Sequence, residues 1–200
     1  MSYNTIEKIG KGEYKSRGSK FFSFSHPISS IDDYRHLIAI YRKNFPESCH
    51  VCSAYRLLVG SRVDEQASDD GEPKGSAGQP ILNQLKRNNL INVATYVVRI
   101  FGGSLLGIPG LIEAYSGSAL LSVDDSKHIP WKTVKLLSIC FAYDYEGIVA
   151  STLKEFGGKV CKKDFSERIS MEASLEESVV EIFMQKLKES SSDKIKIAIL

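Results

Sequence analysis

The sequence has no charge excess of either sign. Against 26 lysines and arginines stand 24 aspartates and glutamates, a formal net charge of +2, which removes any argument for nucleic-acid binding from charge alone. It has no long hydrophobic run: the longest, around Leu136 to Tyr143, is far too short to span a bilayer. The first twelve residues are polar and lack the apolar core of a signal peptide, so a cytoplasmic protein without membrane association is expected. Cysteine is scarce, with Cys49, Cys52, Cys140 and Cys161 only. Cys49-His50-Val51-Cys52 has the spacing of half a zinc site, but no second pair stands near it, so reduced, metal-free thiols are expected. There is no Gly-Lys-Ser/Thr after a glycine-rich turn, which excludes a P-loop, no nucleophile elbow, no internal repeat and no low-complexity tract.

What is present is a globular composition, 42% hydrophobic and 25% charged over 200 residues, enough for a sizeable core in one large or two small domains. The polar stretch Asp124 to Pro130 reads as a hinge, giving domains 1–130 and 131–200. The second reads as strand Val134–Tyr143, helix Asp144–Phe156 capped by Asp144, strands Lys159–Phe165 and Arg168–Ala173, helix Glu176–Glu189 and strand Lys194–Leu200, the ferredoxin-like order. The first reads as α+β. Tyr3–Ile9 and Ser19–Phe24 are strands joined by a Gly/Lys-rich turn, and Ile31–Phe45 is a helix stopped by Pro46. Strand Ser53–Val59, helix Pro80–Arg87, strand Val93–Phe101 and helix Gly110–Leu121 follow.

Chemistry concentrates between strand Ser53–Val59 and helix Pro80–Arg87. The segment Arg62–Gly78 reads as a long loop carrying Asp64, Glu65, Asp69, Asp70 and Glu72. A solvated acidic loop is the plainer reading; a seat for a hard cation or for a basic group of a partner is the sharper one. Gly75-Ser76-Ala77-Gly78-Gln79-Pro80 then enters a helix, where free N–H groups favour anions. A second glycine cluster, Phe101-Gly102-Gly103-Ser104-Leu105-Leu106-Gly107, enters the next helix; a ligand loop and a tight packing turn fit it about equally. His50 reads either as a site residue reaching the acidic loop or as a structural histidine. Tyr55, Arg56 and Tyr115 are plausible lining residues. In an open sheet, loops leaving one edge gather in a crevice, so His50, Asp69, Asp70, Glu72, Ser76, Arg99, Gly102 and Gly103 are expected to converge on one concave surface.

Three blocks, Cys49 to Arg56, Ser68 to Leu82, and Arg99 to Gly103 with Leu106-Gly107 and Gly110-Leu111, together resemble the signature of the IMPACT-type, YigZ-like family. The resemblance implies a ribosomal-protein-S5-domain-2-like first domain and an elongation-factor-domain-V-like, ferredoxin-like second domain. It implies a non-enzymatic regulatory protein with RNA, the ribosome or a translation-associated protein as partner, since both implied folds recur in translation proteins and nucleic-acid binders; eukaryotic relatives act by protein binding, a role that does not carry over to a bacterial member. A hydrolase or phosphate-ligand enzyme using the acidic and glycine-rich loops is the alternative. Neither a cofactor nor an oligomeric state is implied. Leu105 and Glu113 stand where the family usually has lysine and arginine, which implies either a weaker grip on phosphate here or a different ligand.

Overall fold

The computed structural model describes residues 3–200. The chain divides into two compact units, Met1–Trp131 and Lys132–Leu200.

The first unit is built on a five-stranded antiparallel sheet. Its strands, in chain order, are β2 (Gly10–Ser16), β3 (Ser19–Pro27), β4 (His50–Val59), β5 (Arg62–Ser68) and β6 (Val93–Ile100), arranged β2-β3-β6-β4-β5. A short ribbon of β1 (Asn4–Ile6) and β7 (His128–Pro130) lies apart from it. β6 is central, and Val93, Ala94, Thr95, Tyr96, Val97 and Val98 are all fully buried. A strand covered on both faces reads as a continuous apolar run, as this one does.

Helix α1 (Ile31–Asn44) covers one face. Ser30 caps it, and Asp33 returns a hydrogen bond to the Ser30 N–H, closing a capping box. Tyr34 and Tyr41 of α1 pack on Tyr96, Phe24 and Tyr55. Helices α2 (Gly78–Arg87) and α3 (Gly107–Asp125) cover the other face with Ile81, Leu82, Leu111, Ala114, Tyr115 and Ala119.

Four expectations change. The strand expected over Tyr3–Ile9 is only Asn4–Ile6, and the Gly/Lys-rich stretch expected as a turn is strand β2. The real turn is Arg17-Gly18, where both residues have positive φ. Gly10 and Gly12 are bare because α3 lies against them: a Cβ on Gly10 would sit 1.9 Å from the Ser122 carbonyl oxygen, and one on Gly12 2.6 Å from the Leu121 Cβ. The acidic stretch expected as loop from Arg62 begins as edge strand β5, turned by Gly60-Ser61 with Gly60 at φ +62°. Its polarity is that of an exposed sheet edge. The expected hinge is tied down as well, since Asp124 and Asp125 end α3, Asp125 accepts the Lys11 N–H at 2.9 Å, and β7 pairs with β1.

The second unit runs β8 (Val134–Phe141), α4 (Glu146–Glu155), β9 (Lys159–Phe165), β10 (Ile169–Glu176), α5 (Val180–Ser191), β11 (Lys196–Ile199). The sheet order β11-β8-β10-β9, antiparallel throughout, is the arrangement expected of a ferredoxin-like unit. Both helices pack on one face, over Leu137, Ile139, Phe141, Ile169, Met171, Ala173 and Leu175. Asp144 does not cap α4; it lies in a 3-10 turn over Tyr143–Tyr145 that leads into the helix.

The glycine contacts of β2 give a direct test. Gly10→Ala is expected to lower stability by about 1–3 kcal/mol, the usual range for overpacking. Lys11→Ala, at an exposed position of the same strand, should stay within about 0.5 kcal/mol. Urea midpoints at constant slope measure both.

Candidate functional site

Strand register assembles the site. His50, the first residue of β4, pairs with Arg99 of β6, and Arg99 pairs with Phe21 of β3. Directly paired residues share a sheet face, so the three side chains form a row at one end of the sheet, on the face of α2 and α3. β5 runs antiparallel to β4 and ends at Ser68 opposite Ser53. The chain after it therefore continues alongside Cys52, Val51 and His50. Asp69 accepts the Cys52 thiol on its carbonyl at 2.9 Å, and the Asp70 carboxylate accepts the Val51 N–H at 2.7 Å. Asp70 and Gly71 turn the chain with φ of +45° and +93°. His50 Nδ1 lies 2.7 Å from the Asp70 carbonyl, and a Cβ on Gly71 would stand 3.2 Å from the imidazole.

Each carboxylate of the acidic segment has its own partner. Asp64 accepts the Tyr55 hydroxyl at 2.9 Å. Glu65 pairs with Arg56 at 2.8 Å and Lys86 at 2.5 Å. Burial would raise the Glu65 pKa, but these two cations outweigh it and hold the carboxyl below its ordinary value. Asp70 pairs with Arg42 from the last turn of α1. Asp69 caps α2 from a distance: Ala77 stands at the N-cap with no side chain able to serve, and the Asp69 carboxylate accepts N–H groups of Gly75, Ala77 and Gly78 at 2.7, 3.0 and 2.8 Å. Burial pushes its pKa up, but the three backbone donors pull harder, and it lies below the ordinary value.

Glu72 is the buried member. Its Oε1 accepts Arg99 Nη1 at 2.7 Å and the Tyr115 hydroxyl at 2.8 Å. Burial and the neighbouring Cys52 and Glu72 push the Tyr115 phenol far above its usual range, so it stays a neutral donor. The Arg99 guanidinium also lies 5.6 Å from the Phe21 ring centroid and 5.5 Å from that of Phe101. Its Nε is buried and has no hydrogen-bond partner. Beside the pair, Glu72, Pro73, Arg99, Leu105, Leu106, Gly107, Ile108 and Leu111 line a cavity of about 290 Å³.

The structure thus brings His50, Asp69, Asp70, Glu72, Arg99 and the Gly102-Gly103 loop to one end of the sheet, but most of their polar atoms serve the fold. Ser76 is fully buried and donates to the Pro73 carbonyl at 2.7 Å. Gly102 packs against Gly18, where a Cβ would come within 1.9 Å of its backbone, whereas Gly103, at φ +87°, faces open space. Tyr55 and Arg56 do not join the group. Tyr55 faces α1 and Tyr34, and Arg56 lies six residues along β4 from His50, roughly 20 Å at about 3.3 Å per residue, bonded to Glu65 and the Leu90 carbonyl. The adjacency of Tyr55 and Arg56 to the motif suggested proximity that an extended strand denies them. The carboxylates of the acidic segment point to separate partners, and among the described residues no three His, Cys, Asp or Glu side chains come together. Cys49 is exposed and Cys52 buried, with its thiol pKa raised by that burial.

Arg42 and Phe21 escaped the sequence reading. Each contacts a site residue only through tertiary packing, and nothing local to the helix end or to strand β3 distinguishes it.

Asp69 gives a stability test with a pH signature. Asp69→Ala is expected to cost about 1–2 kcal/mol, as loss of a helix cap does. Because the folded pKa lies below the ordinary 3.8, the contribution is full above that pH and fades as pH falls through the folded value. Asp69→Asn should flatten this acid limb, measured as thermal midpoint against pH.

Known proteins place these features in a family. The family described as the Impact N-terminal domain matches residues 17–123. The IMPACT family member YvyE of Bacillus subtilis (strain 168) is 29% identical over 193 residues, covering 96% of this chain and 88% of the relative. The IMPACT family member YigZ of Escherichia coli (strain K12) is 29% identical over 185 residues, covering 90% and 88%. A crystal structure described as that of a hypothetical protein shares the fold at a TM-score of 0.71 with 23% identity, over 100% of this chain and 97% of that one. With the match spanning more than half of the chain, and the acidic turn and both glycine loops inside it, this protein belongs to the IMPACT family.

Proposed function

We propose that this chain is a non-enzymatic regulatory binding protein, associated with translation, that engages a protein partner through the second glycine loop and the start of α3. The observation that carries this reading is the exposed apolar ridge there: Phe101, Leu105 and Ile108 are 46%, 83% and 54% exposed. Apolar side chains grouped on a surface are a feature of interaction sites. The ridge is held rigid from below, because Arg99 lies under Phe101 and is itself fixed by Glu72.

The hydrolase alternative, as read from the acidic and glycine-rich loops, needs a free serine nucleophile or a free carboxylate at this end of the sheet. Instead Ser76 and the carboxylates of Asp69, Asp70 and Glu72 are engaged within the fold. The open sheet face of the second unit presents Leu136, Ser138, Cys140, Ser170, Glu172 and Ser174 from its central strands and Lys162 and Lys196 from its edge strands, so the choice of protein over RNA rests on the apolar ridge of the first unit.

The test is recovery of the tagged full chain from cells, with co-purifying proteins and RNA identified. Ribosomal or other translation proteins are expected with the wild type and, with Leu105→Asp, reduced by about tenfold or more, a hot-spot effect. Equal recovery by the variant, or RNA retained after protein is stripped away, would sink the reading. Leu105 is the most exposed of these positions, so the variant should keep the wild-type thermal midpoint.

A further inference from the structure

Two helices of the first unit begin at this end of the sheet, and their starts differ. The N-terminus of α2 is filled by a carboxylate of the chain itself, Asp69, which takes three backbone N–H groups. The N-terminus of α3, a helix of 19 residues, has no side-chain cap. With Leu106 at the N-cap, the Gly110 N–H turns to the Leu106 carbonyl and Pro109 has no N–H, so Leu106, Gly107 and Ile108 carry the free donors of the first turn. A helix start is common enough to mean little alone. Here a second observation stands beside it: Arg99, only 7% exposed, has an Nε without a partner, and it lines the same cavity as Gly107 and Ile108. Buried polar nitrogens in folded proteins are nearly always paired.

We infer that the cavity at the start of α3 is a site for a carboxylate carried on a branched apolar residue, either a small acid or the C-terminal residue of a peptide. The acid group is held by the α3 N–H donors and Arg99, and the apolar group by Leu105, Leu106, Ile108 and Leu111. This deepens the binding-protein reading and rests on it for the location.

Three features select this class. The helix dipole and free donors favour an anion, and Asp69 shows that a carboxylate fits a helix start of this architecture. Half of the lining is leucine and isoleucine, which a bare inorganic anion leaves unused. The volume, about 290 Å³, lies at the bottom of the roughly 300–1,000 Å³ range of ligand pockets, suited to one residue. Glu72, which faces the cavity, is already matched by Arg99 Nη1 and the Tyr115 hydroxyl on its Oε1, so its charge does not stand unopposed before an incoming acid.

The experiment uses the full chain labelled with nitrogen-15 and follows the amide signals of Leu106, Gly107 and Ile108. N-acetyl-leucine is expected to shift them saturably. N-acetyl-leucinamide, the same shape without the charge, should bind at least about tenfold more weakly, as loss of a charge-assisted hydrogen bond implies. Inorganic phosphate should bind more weakly than N-acetyl-leucine. Ile108→Asp, at an exposed position, should remove the response while the remaining spectrum stays folded. A peptide ending in free leucine that binds more tightly than N-acetyl-leucine identifies a chain terminus as the source; one that binds no better identifies a small acid. The inference is overturned if acid and amide bind alike, if phosphate matches the acid, if Ile108→Asp leaves the response intact, or if none of the three amides responds. Loss of partners in Leu105→Asp with no response to N-acetyl-leucine would remove this inference and leave the binding-protein reading standing. A response to N-acetyl-leucine with partner recovery unchanged in Leu105→Asp would do the reverse.

Discussion

The buried contact of Glu72 with Arg99 and Tyr115 is the interaction on which this end of the first domain depends. It joins three elements remote in sequence: the turn before α2, the end of the central strand β6, and the middle of α3. A buried charge without its partner is severely destabilising, about 3–5 kcal/mol for removal of one side of a pair. Once Arg99 lies on Glu72, Phe101 is supported from beneath and the second glycine loop is directed outward.

The same economy applies to the acidic segment. Five carboxylates within nine residues suggest a cation site, yet each satisfies a different structural demand. Asp69 caps a helix, Asp70 closes a turn onto β4 and α1, Asp64 and Glu65 serve the two faces of an edge strand, and Glu72 neutralises a buried arginine. The alternation of β5 explains the separation, since neighbouring strand residues face opposite ways.

The comparison of the two helix starts connects fold and proposed binding. α2 is closed by the chain's own acid, and α3 is left open beside an arginine with an unused nitrogen. Leu105 sits on the rim of that opening. Its apolar side chain there favours an apolar ligand over phosphate.

The sequence by itself determined the local grammar. The helix α1 stopped before Pro46, the βαββαβ order of the second unit, the continuous apolar run of β6 and the three blocks that carry the family were legible because each depends on residues close in the chain. Register was not legible. That His50 stands opposite Arg99 while Arg56 lies at the far end of β4 follows from how strands align, and no spacing within one segment encodes it. Gly10 and Gly12 read as a turn because a missing side chain looks the same whether the chain bends or a helix presses against it; only the position of α3 decided between the two. The Gly60-Ser61 turn was a readable signal, but the acidic run after it resembled a loop. Arg42 with Asp70, and Glu72 with Arg99 and Tyr115, are pairings across 28, 27 and 43 residues. Such pairings exist only once burial has made an unpaired charge too costly to leave, and so the tertiary structure alone decided which of the polar residues hold the fold together and which stay open to solvent.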